Sequence, residues 1–264
     1  MLQLWKEKIE KRLRDLLKPF NPDVFYRAMS YYPFQEGKRI RPMLVCIVAD
    51  AYGGDIEDAI TAGCAIEFLH NYSLIHDDLP CMDNDAFRRG LPSCHVAFGE
   101  DLALLAGDAL LTFSFEVLSD KGLYKTLTEG ELLLMVNILS KKAGFMGMVG
   151  GQVLDIRKLG DQDEITLKKT AELFSACFIF GGIVGKRLDL LEELDTLGKE
   201  FGIFFQMIDD YKDKDGYYQV YSEGVLHMAE EKLNSIKKKA QELSVLTEHF
   251  LNLLQMFEDF VKTD

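Results

Sequence analysis

No proline follows Pro92. Everything beyond it is free of the strongest helix breaker, which suits a long series of helices. No alternating β-branched run of strand length is present either, so a sheet protein is excluded. Neither a Ser/Gly-rich linker nor a break in composition divides the 264 residues, and 48% of them are hydrophobic, enough to bury a full core. The expectation is one all-α domain spanning 1–264. The five cysteines (Cys46, Cys64, Cys81, Cys94 and Cys177) form no CxxC pair and are odd in number. That excludes a disulfide framework and predicts reduced thiols in a cytoplasmic protein. Positive charge is scarce: the formal net charge is −13. A nucleic-acid partner is thereby excluded, because such a surface must be basic. A phosphorylated substrate is not excluded, because metal ions can bring phosphate to an acidic site. The opening MLQLWKEKIEKRL is a charged amphipathic helix rather than a signal peptide, and no apolar run reads as bilayer-spanning, so no stable membrane insertion is expected.

What is present is helical periodicity. Leu2, Trp5, Ile9, Leu13 and Leu16 recur at helical spacing until Pro19 and Pro22. An apolar helix is predicted over 43–52, stopped by Gly53 and Gly54, and another over 56–76. Residues 84–93 read as a loop. Helical patterns return over 103–119, 130–159, 166–182, 188–212 and 224–261.

Two acidic clusters interrupt these apolar helices. Asp77, Asp78 and Asp83 emerge from the end of an apolar, aromatic segment containing Phe68, Leu69, Tyr72 and Ile75. Such a cluster is either a solvated patch or a site for a hard cation such as Mg²⁺, which takes oxygen ligands at roughly 2.0–2.1 Å. Asp209, Asp210 and Asp213 follow the apolar segment 201–208. Asp209 and Asp213 are one turn apart and share a face with Gln206. Ionised groups there are costly unless metals or hydrogen bonds compensate. The sole local cation, Lys212, is expected to point away. Two carboxylate clusters can hold one anion between them only with cations interposed, and a Mg²⁺-bridged diphosphate meets that need. Direct basic contacts stand in discrete places: Lys38, Arg39 and Arg41; Arg88 and Arg89; and Lys169. Arginine grips phosphate oxygens bidentately.

Taken in order, these elements resemble the trans-isoprenyl diphosphate synthases, or polyprenyl synthetases, and within them the bacterial farnesyl diphosphate synthases most of all. Gly37-Lys38-Arg39-Ile40-Arg41-Pro42 is similar to their GKRxRP element. The stretch from Phe68 through Asp77-Asp78-Leu79-Pro80-Cys81-Met82-Asp83, with Arg88-Arg89-Gly90, resembles their first aspartate motif in its bacterial and plant form. Gly151-Gln152-Val153-Leu154-Asp155, Lys169-Thr170 and Phe205-Gln206-Met207-Ile208-Asp209-Asp210 are similar to later elements, so the resemblance covers about 35–213. It implies an all-α fold of antiparallel helices around a deep central cavity, in a homodimer. It also implies roles. Asp77, Asp83 and Asp209 would bind three Mg²⁺ ions, supported by Asp78, Asp210 and Asp213. Arg88, Lys169 and Gln206 would contact the allylic diphosphate. Lys38, Arg41, His70 and Arg89 would bind isopentenyl diphosphate. Thr170 and the Lys169 carbonyl would face the allylic cation. No histidine or glutamate base is needed, and His76 is expected to be a helix-end hydrogen-bonding residue.

The implied reaction condenses isopentenyl diphosphate with dimethylallyl and geranyl diphosphates. Tyr72, five residues before Asp77 and so somewhat more than a turn deeper, is placed to stop the tail at C15, farnesyl diphosphate. The segment 77–85 reads like that of plant geranylgeranyl synthases, which makes C20 the alternative. One departure stands out. After Asp213 the chain runs Lys214-Asp215-Gly216-Tyr217-Tyr218 into the next helix, without the longer lysine-bearing loop of the family. Lys214 is the stand-in expected for those lysines. A class I terpene cyclase would share the fold but not Lys38 and Arg41. A non-catalytic synthase subunit is the reading favoured only by the short loop.

Overall fold

In the computed structural model, residues 1–261 are described. Four helices lead to the first acidic motif: α1 (Leu2–Leu16), α2 (Asp23–Tyr31), α3 (Ile40–Ala51) and α4 (Ile56–Asp77). Beyond the motif come α5 (Cys94–Phe98), α6 (Glu100–Ser119), α7 (Glu129–Ala143), α8 (Met148–Arg157) and α9 (Gln162–Thr166). The rest is α10 (Glu172–Val184), α11 (Leu191–Asp213), α12 (Tyr217–Tyr221), α13 (Gly224–Glu242) and α14 (Glu248–Val261). The fold is all-α. The loop after the first motif carries one antiparallel pair of two-residue strands, β1 (Phe87–Arg88) and β2 (Leu91–Pro92), too short for any alternation to announce them.

Helix α4 is the axis of the bundle. It is apolar on every side, as a helix surrounded by others must be, and packs against α1, α3, α6 and α10. Its start is set by Asp55, whose carboxylate accepts the backbone N–H groups of Glu57 and Asp58 at 2.9 and 3.0 Å. Helix α11 lies on α10 and α13, which brings the second acidic motif to the same end of the bundle. One continuous core runs from Trp5 to Phe257.

Three predicted helices differ. The stretch 130–159 is two helices, because Gly144 and Gly147 sit where a Cβ would lie 2.6 Å from the Ser140 carbonyl and 1.9 Å from that of Lys142. The stretch 224–261 is broken between Glu242 and Glu248. The stretch from Thr166 opens with a π-type turn, Leu167–Ala171, before α10. By length and composition alone, 100–119 and 129–157 do reach the apolarity of a membrane-crossing helix, against expectation. The first is a core helix pressed on α4, and the second is the interrupted α7–α8 pair.

Candidate active site

The C-terminal end of α4, the π turn and α8 enclose a cavity of about 400 Å³. Asp77, Lys169 and Thr170 stand at its polar end, with Arg41 and His70, while Tyr72, Met82, Met148, Val153 and Ile156 line the remainder. Lys169 and Thr170 reach it because the π turn widens the helix, a device common at functional sites. Gly151 permits the close crossing: a Cβ there would meet the Lys169 backbone nitrogen at 2.2 Å. A second cavity of about 350 Å³ adjoins at Arg41 and His70 and gathers Lys38, Arg39, Arg89 and Phe205. A third, also about 350 Å³, is bounded by Asp155, Lys169, Thr170, Gln206, Asp210 and the turn after Asp213.

In the basic run, Arg39 is internal. Its buried guanidinium donates to Glu10 at 2.6 Å, to Glu67 at 2.7 Å and to the carbonyls of Pro33 and Gln35. Lys38 is exposed at the rim, and Arg41 lies over the Phe174 ring at 4.3 Å with an Nη1 3.3 Å from His70 Nε2. Burial, then the charges of Arg41 and Arg89, hold the His70 imidazole well below its usual pKa, so it is neutral. The Arg41 Nε is buried and has no protein acceptor. An anionic ligand would supply one.

Of the first motif, Asp77 faces the cavity. Burial pushes its carboxyl up to about 6; Lys169 pulls it down, and the Asp83 charge adds to the rise. Asp83 lies beside it at the cavity mouth, and partial desolvation raises its carboxyl likewise, against the pull of Lys169. Asp78 points inward and is fully buried. It accepts Arg88 Nε at 3.1 Å along with Arg88 Nη2 and the Tyr32 hydroxyl. Arg88 is therefore clasped by Asp78, and Lys169 is paired with Asp155 at 2.6 Å. His76 packs on Gly107 of α6, with its Nε2 2.9 Å from the Leu104 carbonyl, a helix-end role as expected.

In the second motif Asp209 is half-buried, and its pKa is raised by burial against the pull of Lys212 and Lys38. Lys212, exposed one turn further along α11, contributes to the field at Asp209. Asp210 is buried and accepts Gln206 Nε2 at 2.6 Å and the Tyr217 N–H at 2.8 Å; Gln206 in turn accepts the Thr170 hydroxyl at 2.8 Å. Asp213 is exposed. Lys214 sits over the rings of Tyr211 and Tyr218 at 4.0 and 3.9 Å, held away from the cavity by those faces.

Among the described residues no three His, Cys, Asp or Glu side chains converge to cage a metal ion by themselves. The donors suit Mg²⁺ nonetheless. That ion keeps waters and takes one or two carboxylates plus substrate phosphate oxygens, and Asp77 and Asp209, both raised first by burial, are carboxylates that a bound cation would favour in their ionised form. Residue-type patterns missed Tyr32 and Tyr217 and gave no role to the cavity-lining Gln152, whose two amide atoms are buried without protein partners. The i, i+3 spacing of Gln152 and Asp155 on an otherwise apolar helix was the available signal for one of them.

An all-α bundle in which Asp77 closes an apolar cavity, and Gln206 and Asp210 of the second motif join its Thr170 by hydrogen bonds, fits a prenyl-transfer class of enzyme. Residues 22–236 match the Polyprenyl synthetase family profile, and the chain belongs to that family. It is 42% identical over 219 residues to a farnesyl diphosphate synthase of Bacillus subtilis, covering 80% of this chain and 74% of that protein. It is 40% identical over 215 residues to a chloroplastic geranylgeranyl pyrophosphate synthase of Capsicum annuum, covering 78% and 57%. The solved geranyltranstransferase of Thermotoga maritima superposes with a TM-score of 0.85 at 33% identity, over 98% of this chain and 99% of that one. An FPP/GFPP synthase of Zymomonas mobilis gives 0.86 at 30% identity, over 93% and 95%. The protein is a trans-prenyltransferase.

Proposed function

We propose that this chain condenses isopentenyl diphosphate with dimethylallyl and then geranyl diphosphate, yielding mainly farnesyl diphosphate. The observation that carries the reading is the junction of two cavities at Arg41 and His70. One has the Asp77 carboxylate, Lys169 and an apolar depth for an allylic tail. The other has Lys38, Arg41 and Arg89 and suits a second, smaller diphosphate.

Asp77, Asp83 and Asp209 would hold Mg²⁺, three ions by family resemblance, with Asp78, Asp210 and Asp213 around them. Bound there, Mg²⁺ supplies charge to stabilise a departing diphosphate. Lys169 and Arg88 add to that stabilisation once the substrate draws them from Asp155 and Asp78. Thr170, its proton committed to Gln206, turns oxygen lone pairs toward the cavity, where positive charge develops on the allylic carbon. His70, neutral, holds Arg41 against the second diphosphate without adding to its charge. The apolar walls keep water from the cation. Tyr72, 6% exposed and edge-on to His76 at 5.5 Å, limits the tail.

Two features favour the C20 alternative: the likeness of segment 77–85 to that of plant geranylgeranyl synthases, and the 40% identity to a geranylgeranyl pyrophosphate synthase. A homodimer belongs to the same reading. The exposed Leu104 and Leu105 on α6, beside a groove formed with α1 and α2, offer a face for a second copy. The decisive experiment incubates the purified chain with isopentenyl diphosphate, each allylic starter and Mg²⁺, followed by mass spectrometry of the alcohols after phosphatase. C15 as the main product is expected. C20 would select the alternative, and no condensation would favour a non-catalytic subunit.

A further inference from the structure

The short connection after the second aspartate motif is bound down along its whole length. Asp215 N–H donates to the Asp210 carbonyl at 3.1 Å, and Tyr217 N–H to the Asp210 carboxylate at 2.8 Å. Gly216, at φ +45°, lies so near that a Cβ would fall 2.1 Å from Asp210 Oδ2. Tyr217 is fully buried, and its hydroxyl donates to Asp163 Oδ1 of α9 at 2.6 Å. Tyr221 stacks on its ring with centroids 6.2 Å apart. The third cavity is thus roofed by Asp215, Gly216, Gln219 and Val220. Three hydrogen bonds join this roof to the reaction cavity, and their donors point toward Asp210 from both sides. Tyr217 N–H and Gln206 Nε2 both donate to Asp210, which obliges Gln206 Oε1 to accept, and Thr170 Oγ1–H donates to it. If the amide of Gln206 turned over, its oxygen would face the Asp210 carboxylate.

We infer that Tyr217 is a positioning residue: it pins the shortened connection as a fixed roof and, through Asp210 and Gln206, sets the direction in which Thr170 presents its oxygen to the reaction cavity. A lysine-bearing loop that closes on substrate is replaced by a roof already closed. Asp163 is the outer anchor, and α9 leads directly into the π turn that carries Lys169 and Thr170, so one phenol ties both walls of the site together. This inference rests on the prenyl-transfer reading for its kinetic consequence, though not for the anchoring itself.

The test uses the full chain and Tyr217→Phe, which keeps the ring and the backbone N–H and removes only the bond to Asp163. Two readouts are taken. Amide hydrogen exchange of residues 210–221 in the substrate-free protein should quicken by about tenfold, the worth of one hydrogen bond to a carboxylate. In steady-state condensation, kcat should fall by about tenfold while KM for isopentenyl diphosphate stays unchanged. Asp163→Asn, whose carbonyl can still accept the phenol, should remain within about twofold of wild type, and Asp163→Leu combined with Tyr217→Phe should be no worse than either alone. Unchanged exchange in Tyr217→Phe overturns the anchor. Quickened exchange with unchanged kcat, or with both KM values and kcat altered alike, overturns the link to Thr170. If wild type itself shows no condensation, the functional reading fails, and exchange alone decides the anchor.

Discussion

Replacing Tyr72 by alanine should lengthen the product. Tyr72 is on α4 five residues before Asp77, about 7.5 Å along the helix at 1.5 Å per residue. Its side chain lines the cavity whose polar end Asp77 marks, and burial pushes its hydroxyl up to about 12, so the ring is neutral and wholly a steric element. A fourth isoprene unit brings five carbons. At about 0.8 kcal/mol per buried methylene, admitting them to an apolar cavity is worth at most about 4 kcal/mol. At about 1.4 kcal/mol per factor of ten, that could shift the ratio of C20 to C15 products by up to about three orders of magnitude, and at least a tenfold rise is expected. The substitution also empties a site packed against His76, and large-to-small changes of this kind cost about 3–5 kcal/mol when nothing refills the space. The assay should therefore run at a temperature where circular dichroism shows the variant folded. Tyr72→Phe keeps the bulk and should keep the wild-type profile. An unchanged C20:C15 ratio in the alanine variant would refute the reasoning and move the floor elsewhere. Ser73 would be the next residue to test, since it lines the same cavity, whereas Phe113 lies against Phe68 and lines the groove near α1.

Asp77→Ala and Asp209→Ala should each lower turnover by about 10²-fold or more, measured under saturating substrates across a Mg²⁺ titration; near-normal rates in limiting Mg²⁺ would refute the metal assignment. Lys38→Ala or Arg41→Ala should raise KM for isopentenyl diphosphate more than for the allylic partner and Arg88→Ala the reverse, so equal effects in steady-state kinetics would undo that division. Gly151→Ala should cut kcat at least about tenfold with a smaller effect on unfolding, because its Cβ presses on the Lys169 backbone rather than on the core. Asp58 is held below the usual carboxylate range: burial opposes this, but the N–H groups of Lys125 and Thr126 and the Thr126 hydroxyl outweigh it. A depressed carboxylate stabilises above its unfolded pKa, about 3.9, and loses that contribution as pH falls through its lower folded value. Urea unfolding should thus separate wild type from Asp58→Asn at pH 7, with the gap narrowing as pH falls below the unfolded value toward the lower folded one.

The helical class, the two aspartate motifs and the basic elements were legible in the chain, because an apolar helix that carries ionised groups at one end contradicts its own burial and so marks a site. The absence of proline beyond Pro92 and the 3.6-residue periodicity required no partner to be read. Other features arise only when distant segments meet. In the sequence Arg39 is one of three closely spaced cationic positions with Lys38 and Arg41, yet Glu67 and Glu10, from two other helices, draw it into the core. Asp78 and Asp77 are neighbours, and the helix end turns one inward to Tyr32 and Arg88 and the other to the cavity. The break at 144–147 and the π turn at Leu167–Ala171 come with close backbone approaches, at Gly144, Gly147 and Gly151, that only glycine allows. Tyr217 was one aromatic among three in a short stretch until the fold laid it between Asp163 and Asp210. Residue types and spacing determine what chemistry the chain can supply. Which copy of a repeated residue type faces the substrate and which faces the core is decided by the long-range contacts that satisfy, or leave bare, each buried charge.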